Sequence, residues 1–264
     1  FNTAPPLTTV NGEGTATVTL RGTLTNVNNA LNQLQYVGAT NYVGGDVLSI
    51  VATDLGNTGS GGPLSDTKTI SITVTAVNDA PVLSGANNLT TITEDQTTNS
   101  GDLVSTLISG QVSDVDSGAL SGIAITSLTS GTGTWQYSTD NGSTWNAVGA
   151  VSGTSALLLR STDKLRLVPD GQNSTSASVT FRAWDQTSGT YGTKVDVSTN
   201  GGITAFSTAT AISTIRVNPV ADTPILVVAP TVVAGFERVG VPLGISGQLT
   251  DTDGSESLTF TITG

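Results

Sequence analysis

The sequence contains no cysteine and no histidine. Without cysteine, no disulfide can cross-link the fold and no thiolate can carry out chemistry. Without histidine, the commonest general base and the commonest transition-metal ligand are both missing. Serine is plentiful, but the chain has neither a histidine nor a plausible Ser-Lys motif to activate it as a nucleophile. We therefore predict that the protein is not an enzyme.

Basic residues and long apolar runs are also scarce. The chain carries 9 Lys and Arg against 20 Asp and Glu, which gives a net charge of -11. Because so acidic a surface repels phosphate backbones and anionic lipid, we expect no nucleic-acid partner and an attraction for divalent cations instead. No apolar run approaches the roughly 18 residues that a membrane-spanning helix needs, so we expect no membrane insertion.

The abundant residues are those of strands and turns. Thr, Ser, Gly, Asn and Val dominate, and most of these form helices poorly. Residues 14–24 and 67–77 alternate between apolar and polar side chains, as half-buried strands do, whereas only residues 26–34 have helical spacing. Many short strands without βαβ alternation predict an all-β fold of tandem β-sandwich domains.

A hairpin is predicted between residues 134 and 148. Asn141 and Gly142 suit a type I′ turn, which would place Ser138 opposite Trp145. Trp135 would then lie on the other face, so that one aromatic side enters the core and the other remains partly exposed.

Internal repeats divide the chain. The segment "ITVTAVNDAPVL" at residues 72–83 recurs as "IRVNPVADTPIL" at residues 215–226. Such repeated segments indicate joints between similar units. We predict the end of one domain at residues 1–79, a complete domain at residues 80–222 and the beginning of a third at residues 223–264.

Two further pairs of segments support this division. Residues 34–54 correspond to residues 165–185, and each segment ends in Ala-x-Asp. "SGQVSDVDSG", which begins at Ser109, corresponds to "SGQLTDTDGS", which begins at Ser246. The order of strand end, joint and Asp-x-Asp loop therefore occurs in full across both joints.

The acidic residues gather in these motifs. Because strand ends and loops meet at the poles of a sandwich, carboxylates of consecutive domains would converge at each joint and repel one another unless a cation lay among them. Ca²⁺ fits best, because it accepts six to eight oxygen ligands in adaptable geometry. The side chains concerned are Asp54, Asn78, Asp79, Glu94, Asp95, Asp114, Asp116, Asp185, Asp222, Asp251 and Asp253.

The motifs "ATDLG", "VNDAPV", "TEDQ" and "SDVDSG" resemble those of bacterial cadherin-like tandem repeats in giant secreted (RTX-type) adhesins. This resemblance implies cadherin/Ig-like β-sandwich domains joined end to end by calcium-binding linkers. At the first joint it implies the ligands Asp54, Asn78, Asp79, Asp114 and Asp116. At the second joint it implies Glu94, Asp95, Asp185, Asp222, Asp251 and Asp253, although Ala221 there replaces the linker Asn.

The function that this resemblance implies is mechanical. The chain would be part of a calcium-rigidified stalk of a large bacterial cell-surface or secreted adhesin. It would be exported by type I secretion and would serve cell adhesion and biofilm attachment. Its partners would be calcium, neighbouring repeats in the same chain or in other copies, and cell-surface glycans.

Two other functions remain open from the sequence. The incomplete end domains suggest a subunit of an extracellular filament or sheath that is completed between successive copies. The aromatic residues of the complete domain suggest a carbohydrate-binding module, for which Trp135 or Trp145 would have to be exposed and coplanar. A hydrolase would need two carboxylates across an open cleft, and the acidic residues gather at joints instead.

Overall fold

The computed structural model describes residues 7–56 and 60–263, except residues 12–13, 229–234, 236, 252 and 255, and it describes only the backbone of residues 7–11. The chain forms two compact units, Phe1–Ala76 and Val77–Gly264. Most regular structure in both units is β-strand, which confirms the predicted all-β fold. No described helix is long and apolar enough to span a bilayer. The tandem arrangement of sandwiches and the domain boundaries after residues 79 and 222 remain predictions.

Unit 1 consists of two strand pairs and a short helix. Strands β1 (Leu7–Asn11) and β2 (Thr19–Gly22) pair in antiparallel fashion, and helix α1 (Leu24–Leu31) follows. Strands β3 (Gly44–Thr53) and β4 (Ser65–Val74) form a long antiparallel hairpin. None of the residues of unit 1 whose side chains are described is buried.

Helix α1 begins two residues before the predicted segment and ends three residues before its predicted end. It begins there because Thr23 caps it: the hydroxyl oxygen accepts a hydrogen bond from the amide of Asn26. A helix of two turns is only marginally stable by itself, so we expect this cap to contribute much of the stability of α1.

Unit 2 contains one helix, α2 (Val104–Ile108), among the residues described. Its strands are β5 (Val82–Leu83), β6 (Ile92–Thr93), β7 (Asp102–Leu103), β8 (Val112–Ser113), β9 (Gly122–Thr129), β10 (Thr134–Ser138), β11 (Asn146–Ala147), β12 (Ala156–Arg160), β13 (Lys164–Val168), β14 (Thr175–Trp184), β15 (Lys194–Val195), β16 (Ala211–Asn218), β17 (Ile225–Val227) and β18 (Ser246–Gln248).

Two sheets build the body of unit 2. One has the strand order β15-β12-β9-β14-β16-β6, and the other has the order β11-β10-β13-β7. The strands alternate, so that Leu165 and Leu167 of the smaller sheet share one core with Ile125 and Phe181 of the larger sheet. Burying each such side chain stabilises the fold by roughly 1.5–3 kcal/mol. Strand pairs β5–β8 and β17–β18 lie outside these two sheets.

A second, smaller core covers the outer face of the larger sheet. Val197 and Phe206, from the long connection between β14 and β16, pack there against Leu158 and Trp184. Trp184 lies on the outer face at the end of β14, opposite to Ala183, and is buried there because it belongs to this outer core. In unit 1 the connection between β3 and β4 spans only residues 54–64.

The predicted hairpin is confirmed. Gln136 faces Ala147 and Tyr137 faces Asn146, which is the register that places Ser138 opposite Trp145. Asn141 and Gly142 both have positive φ angles, as a type I′ turn requires.

Candidate functional site

The direction of two neighbouring strands decides which acidic residues meet. Strand β14 runs antiparallel to β16, with Phe181 opposite Ala211 and Thr175 opposite Val217. Asp185, which follows β14, therefore lies at the end of the sheet where β16 begins. Asp222, which follows β16, lies beyond the opposite end.

The first acidic group consists of Asn78, Asp79, Asp114, Asp116 and Asp185, all in unit 2. The Asn78 side-chain amide donates to Asp185 Oδ2 at 2.9 Å, and the Asp79 backbone amide donates to Asp116 Oδ2 at 2.8 Å. The amide of Asp116 in turn donates to Asp114 Oδ1 at 2.9 Å. The remaining oxygen of this carboxylate, Asp114 Oδ2, is buried and has no hydrogen-bond partner.

The first group is also held by neutral protein donors. Asp185 is buried, and its Oδ1 accepts from the amide of Thr187 at 2.8 Å and from the hydroxyl at 2.6 Å. The connection between β14 and β16 binds the residues after Asn78, because the Ala80 amide donates to the Gly202 carbonyl at 2.7 Å. This end of the sheet is therefore partly organised by hydrogen bonds alone.

The second acidic group consists of Glu94, Asp222, Asp251, Asp253 and Glu256. Glu94 follows β6 and has no solvent-exposed surface. Its Oε1 accepts a hydrogen bond from the amide of Val220, whereas its Oε2 is buried without a partner. Asp222 Oδ2 is likewise buried and without a partner.

Hydrogen bonds connect the other members of the second group. The Asp222 amide donates to Glu256 Oε1, and the Asp253 amide donates to Asp251 Oδ1 at 2.7 Å. Asp253 Oδ2 accepts from the amide of Ser174, in the connection between β13 and β14, at 2.7 Å. Residues that follow the second joint are thus tied to the body of unit 2.

Burial raises the pKa of Glu94 above its ordinary value of 4.5, and the carboxylates of Asp251, Asp253 and Asp222 raise it further, against the lowering effect of the Val220 amide. The protein therefore holds an ionised Glu94 at an electrostatic cost. Within the described parts of the chain, no three or more acidic side chains form a ready-made metal cluster.

The grouping of the acids differs from the predicted one at Asp185. Asp185 was expected at the second joint but is hydrogen-bonded to Asn78 in the first group. This expectation overlooked the antiparallel pairing of β14 with β16, which returns the chain to the other end of the sheet before the second joint begins. Asp54 follows the end of β3 that pairs with the start of β4 in unit 1, and its grouping with Asn78 stays a prediction.

Asp54 and Asp95 are both exposed. Asp54 Oδ1 accepts from the amides of Leu64 and Gly56, both at 2.9 Å, and these bonds lower its pKa. Asp95 follows the buried Glu94 but is not among the carboxylates that raise the pKa of Glu94.

Sequence reasoning missed Glu256. It accepts from the amide of Asp222, as Asp116 accepts from the amide of Asp79 at the first joint. Its position three residues after the Asp-x-Asp motif was the available signal. Two other acids, Asp140 and Asp170, accept hydrogen bonds from amides of their own loops, as turn-forming residues do.

The tryptophans leave no open aromatic platform. Trp135 and Trp184 are both 2% exposed, and their indole N–H groups donate to the carbonyls of Thr129 and Ser188. Trp145 is half-buried, and the Arg166 guanidinium lies 3.9 Å from its ring centroid. A sugar ring could stack on Trp145 only by displacing this cation.

Comparison with known proteins gives one family match. Residues 6–59, less than half of the chain, match the family model described as Protein GAMETE EXPRESSED 2 domain. A search of curated proteins found no match. A search of solved structures found none either.

The family match contradicts the resemblance to bacterial cadherin-like repeats of RTX-type adhesins. The bacterial origin, the RTX assignment and the role in biofilms depended on that resemblance and are withdrawn with it. The resemblance was misleading because it depended on short Asp- and Asn-containing motifs, and these residues also serve as ordinary turn formers in many β-proteins.

Proposed function

We propose that this protein is a calcium-ordered spacer of an adhesion protein, in which Ca²⁺ at the acidic groups fixes the segments that flank the β-sheets of unit 2. The single observation that carries the proposal is Glu94, which is fully buried and has an unpartnered carboxylate oxygen, and whose pKa is raised by burial and by the carboxylates of Asp251, Asp253 and Asp222. Burying such a charge without a partner is unfavourable, and a divalent cation is the partner that several carboxylates share best.

The second acidic group is the stronger of the two sites. Glu94, Asp222, Asp251, Asp253 and Glu256 supply only oxygen ligands, as Ca²⁺ prefers. The five side chains carry ten carboxylate oxygens, some of which already accept hydrogen bonds from amides. Because the described side chains do not form a ready-made cluster, we expect Ca²⁺ to draw the remaining oxygens together when it binds, which its adaptable geometry allows. Mg²⁺ demands a near-ideal octahedron and gives up its waters reluctantly, so we expect it to bind more weakly.

The first acidic group offers fewer free charges. It has four carboxylates against five in the second group, because Asn78 contributes an amide. Asp185 and Asp116 accept protein hydrogen bonds, as carboxylates of the second group also do. Asp114 Oδ2 is its buried and unpartnered oxygen. We therefore expect this group to bind Ca²⁺ with lower affinity and to depend less on the metal for its structure.

The consequence of binding at the second group would be mechanical. Its ligands come from three parts of the chain: the end of β6, the segment after β16 and the loop after β18. One ion would join these parts, so the segment from Asp222 to Glu256 would lose freedom relative to the sheet. Millimolar calcium outside cells would occupy even a site of modest affinity. We accordingly place the spacer outside the cell or on its surface, where it would hold a binding module away from its anchor.

The test combines calorimetric titration with small-angle scattering. We expect saturable Ca²⁺ binding to the metal-free chain, weaker Mg²⁺ binding, and a scattering profile that becomes that of a more flexible particle when EGTA is added. Glu94→Gln should weaken the tightest site by at least tenfold. The matched control is Asp66→Asn, which removes one charge from an exposed position of β4.

Two results would refute the proposal. One is the absence of Ca²⁺ binding at millimolar concentration together with identical scattering in calcium and in EGTA. The other is equal Ca²⁺ affinity in the Glu94→Gln and Asp66→Asn variants, because the ion would then be bound elsewhere.

A further inference from the structure

Two neighbouring interior strands of the larger sheet in unit 2, β14 and β16, have close counterparts in unit 1. When the repeat segments 34–54 and 165–185 are aligned, β3 coincides with β14 from its first residue to its last. Each strand then pairs in antiparallel fashion with the next long strand, β4 or β16. The hairpin of unit 1 is therefore the counterpart of two interior strands of a sheet.

The surroundings of the two strands differ. On its other edge β14 pairs with β9, where Phe181 faces Ile125 and Ala183 faces Ile123. β3 pairs only with β4 among the described strands, so a ten-residue edge of backbone donors and acceptors has no strand beside it. The only charged side chain along that edge is Asp46, so little protects it from pairing with another strand.

The apolar side chains of the hairpin are also less buried than their counterparts in unit 2. The repeat counterparts of the buried Val179 and Phe181 are Leu48 and Ile50, and both of these are only partly buried. Ile70 of β4 is 50% exposed. A strand and a second layer of apolar side chains would bury these residues as they do in unit 2.

A segment of suitable sequence lies near the second acidic group. Aligning Asp251 and Asp253 with Asp114 and Asp116 brings residues 259–263 onto the beginning of β9. The sequence "LTFTIT" at residues 258–263 alternates strictly, as a half-buried strand does, yet the segment forms no strand. Phe260 is 51% exposed and Ile262 is 85% exposed.

We propose that residues 258–263 of one copy of this protein pair with the free edge of β3 in a second copy, as β9 pairs with β14 within unit 2. The expected register is antiparallel and places Ile262 opposite Ile50 and Phe260 opposite Ala52. Backbone hydrogen bonds supply the attraction, and the alternate apolar side chains supply the register. The segment itself is uncharged, so the net charge of -11 does not oppose this contact locally.

The occupant is a second copy because the chain's own β9–β14 pair provides the pattern for the contact. Both strands of the proposed pair have the residue types that are buried in that pattern, at matching positions. A pairing of about six residues is small compared with a stable interface, so we expect association in the micromolar to millimolar range. The proposal does not depend on calcium binding.

The first experiment is sedimentation velocity on the full 264-residue chain over a concentration series up to roughly 500 µM, a range chosen to cover that affinity. We expect mass to increase with concentration. Ile262→Lys should reduce the associated fraction at least tenfold, because its charge would enter an apolar contact. Thr261→Lys, on the opposite face of the segment, is the matched control and should associate nearly as the native chain does. A native chain that stays monomeric throughout the series overturns the proposal.

The second experiment tests the register with cysteine pairs, for which a chain without native cysteine is well suited. Chains carrying Ala52→Cys are mixed with chains carrying Phe260→Cys under mild oxidation. Directly opposed residues have the Cα separation that a disulfide needs, so a mixed dimer should form rapidly.

The control for register replaces Ala52→Cys by Val51→Cys, whose side chain points to the other face of the strand. We expect little cross-linking of that mixture. Equal yields from both mixtures, or only dimers of one variant with itself, would overturn the proposed pairing. Folding of the unit 2 variants is checked by cooperative unfolding followed by tryptophan fluorescence, because unit 2 carries all three tryptophans. Folding of the Ala52→Cys and Val51→Cys variants is checked by far-ultraviolet circular dichroism, because unit 1 has no tryptophan.

Discussion

Substitution of Glu94 by glutamine should change stability in opposite directions with and without calcium. Glutamine keeps the shape of the side chain, and its carbonyl oxygen can still accept from the Val220 amide. It removes the buried negative charge that is repelled by the carboxylates of Asp251, Asp253 and Asp222. Without metal, the substitution therefore relieves repulsion. With metal, it removes a charged ligand.

The size of the effect follows from Coulomb's law. At an effective dielectric constant of 20, two like charges roughly 8 Å apart repel by about 2 kcal/mol, and we take this as the order of magnitude of the repulsion between Glu94 and Asp251. Asp253 is exposed and Asp222 is partly exposed, so water screens their contributions. We therefore expect a gain of about 1–2 kcal/mol for the metal-free Glu94→Gln variant. A site that binds calcium one hundred times above its dissociation constant adds about 2.7 kcal/mol, and the variant should lose most of this amount.

The assay is urea unfolding followed by tryptophan fluorescence, because all three tryptophans lie in unit 2. Native chain, Glu94→Gln and Asp66→Asn are each unfolded in excess EGTA and in saturating Ca²⁺. We expect Glu94→Gln to be the most stable of the three in EGTA and the least stable in calcium. If Glu94→Gln is destabilised equally in both conditions, Glu94 serves the fold as a hydrogen-bond acceptor and the reasoning about a shared cation is wrong.

Four further predictions follow from the same contacts. The pKa of Glu94 in the folded protein is raised above 4.5, so its ionisation destabilises the metal-free fold as pH rises through that raised value. Measured in EGTA, the unfolding free energy of Glu94→Gln should therefore change less with pH above 4.5 than that of the native chain. Hydrogen bonds from Thr144 lower the pKa of Asp140 from 3.8 to about 2. The stabilisation that the ionised Asp140 provides should therefore be present above pH 3.8 and disappear towards pH 2. In the same titration, Asp140→Asn should lack this loss of stability in acid. Phe181→Ala should lower the unfolding free energy of unit 2 by about 3–5 kcal/mol in urea unfolding. Ile50→Ala, at the repeat counterpart in unit 1, should lower the unfolding free energy of unit 1 by less, because Ile50 is partly exposed. Equal losses would contradict the difference in burial. Asp185→Ala should lower the thermal midpoint of unit 2 even in EGTA, because it removes the acceptor for Asn78 and Thr187; a loss seen only in calcium would mean that the first group also depends on metal.

Local patterns in the sequence predicted the elements of this protein well. Alternation identified the strands because it reports which side chains face a core, and Asn141-Gly142 determined the hairpin register because few dipeptides accept two positive φ angles. The grouping of acids into motifs was also visible in the sequence. The family could not be identified from the sequence motifs, since short turn motifs carry too little information to distinguish one family of β-proteins from another.

Tertiary structure decided which acids meet. Asp185 joined Asn78 rather than Asp222 because β14 and β16 are antiparallel, and no local signal encodes strand direction relative to a distant joint. Glu256 joined the second group through a hydrogen bond to a residue far away in the chain. The sequence alone thus determined the strands, their turns and the acidic motifs, which depend on neighbouring residues. Only the three-dimensional arrangement decided the partners of each carboxylate and the exposure of β3, because both depend on contacts between segments that are distant along the chain.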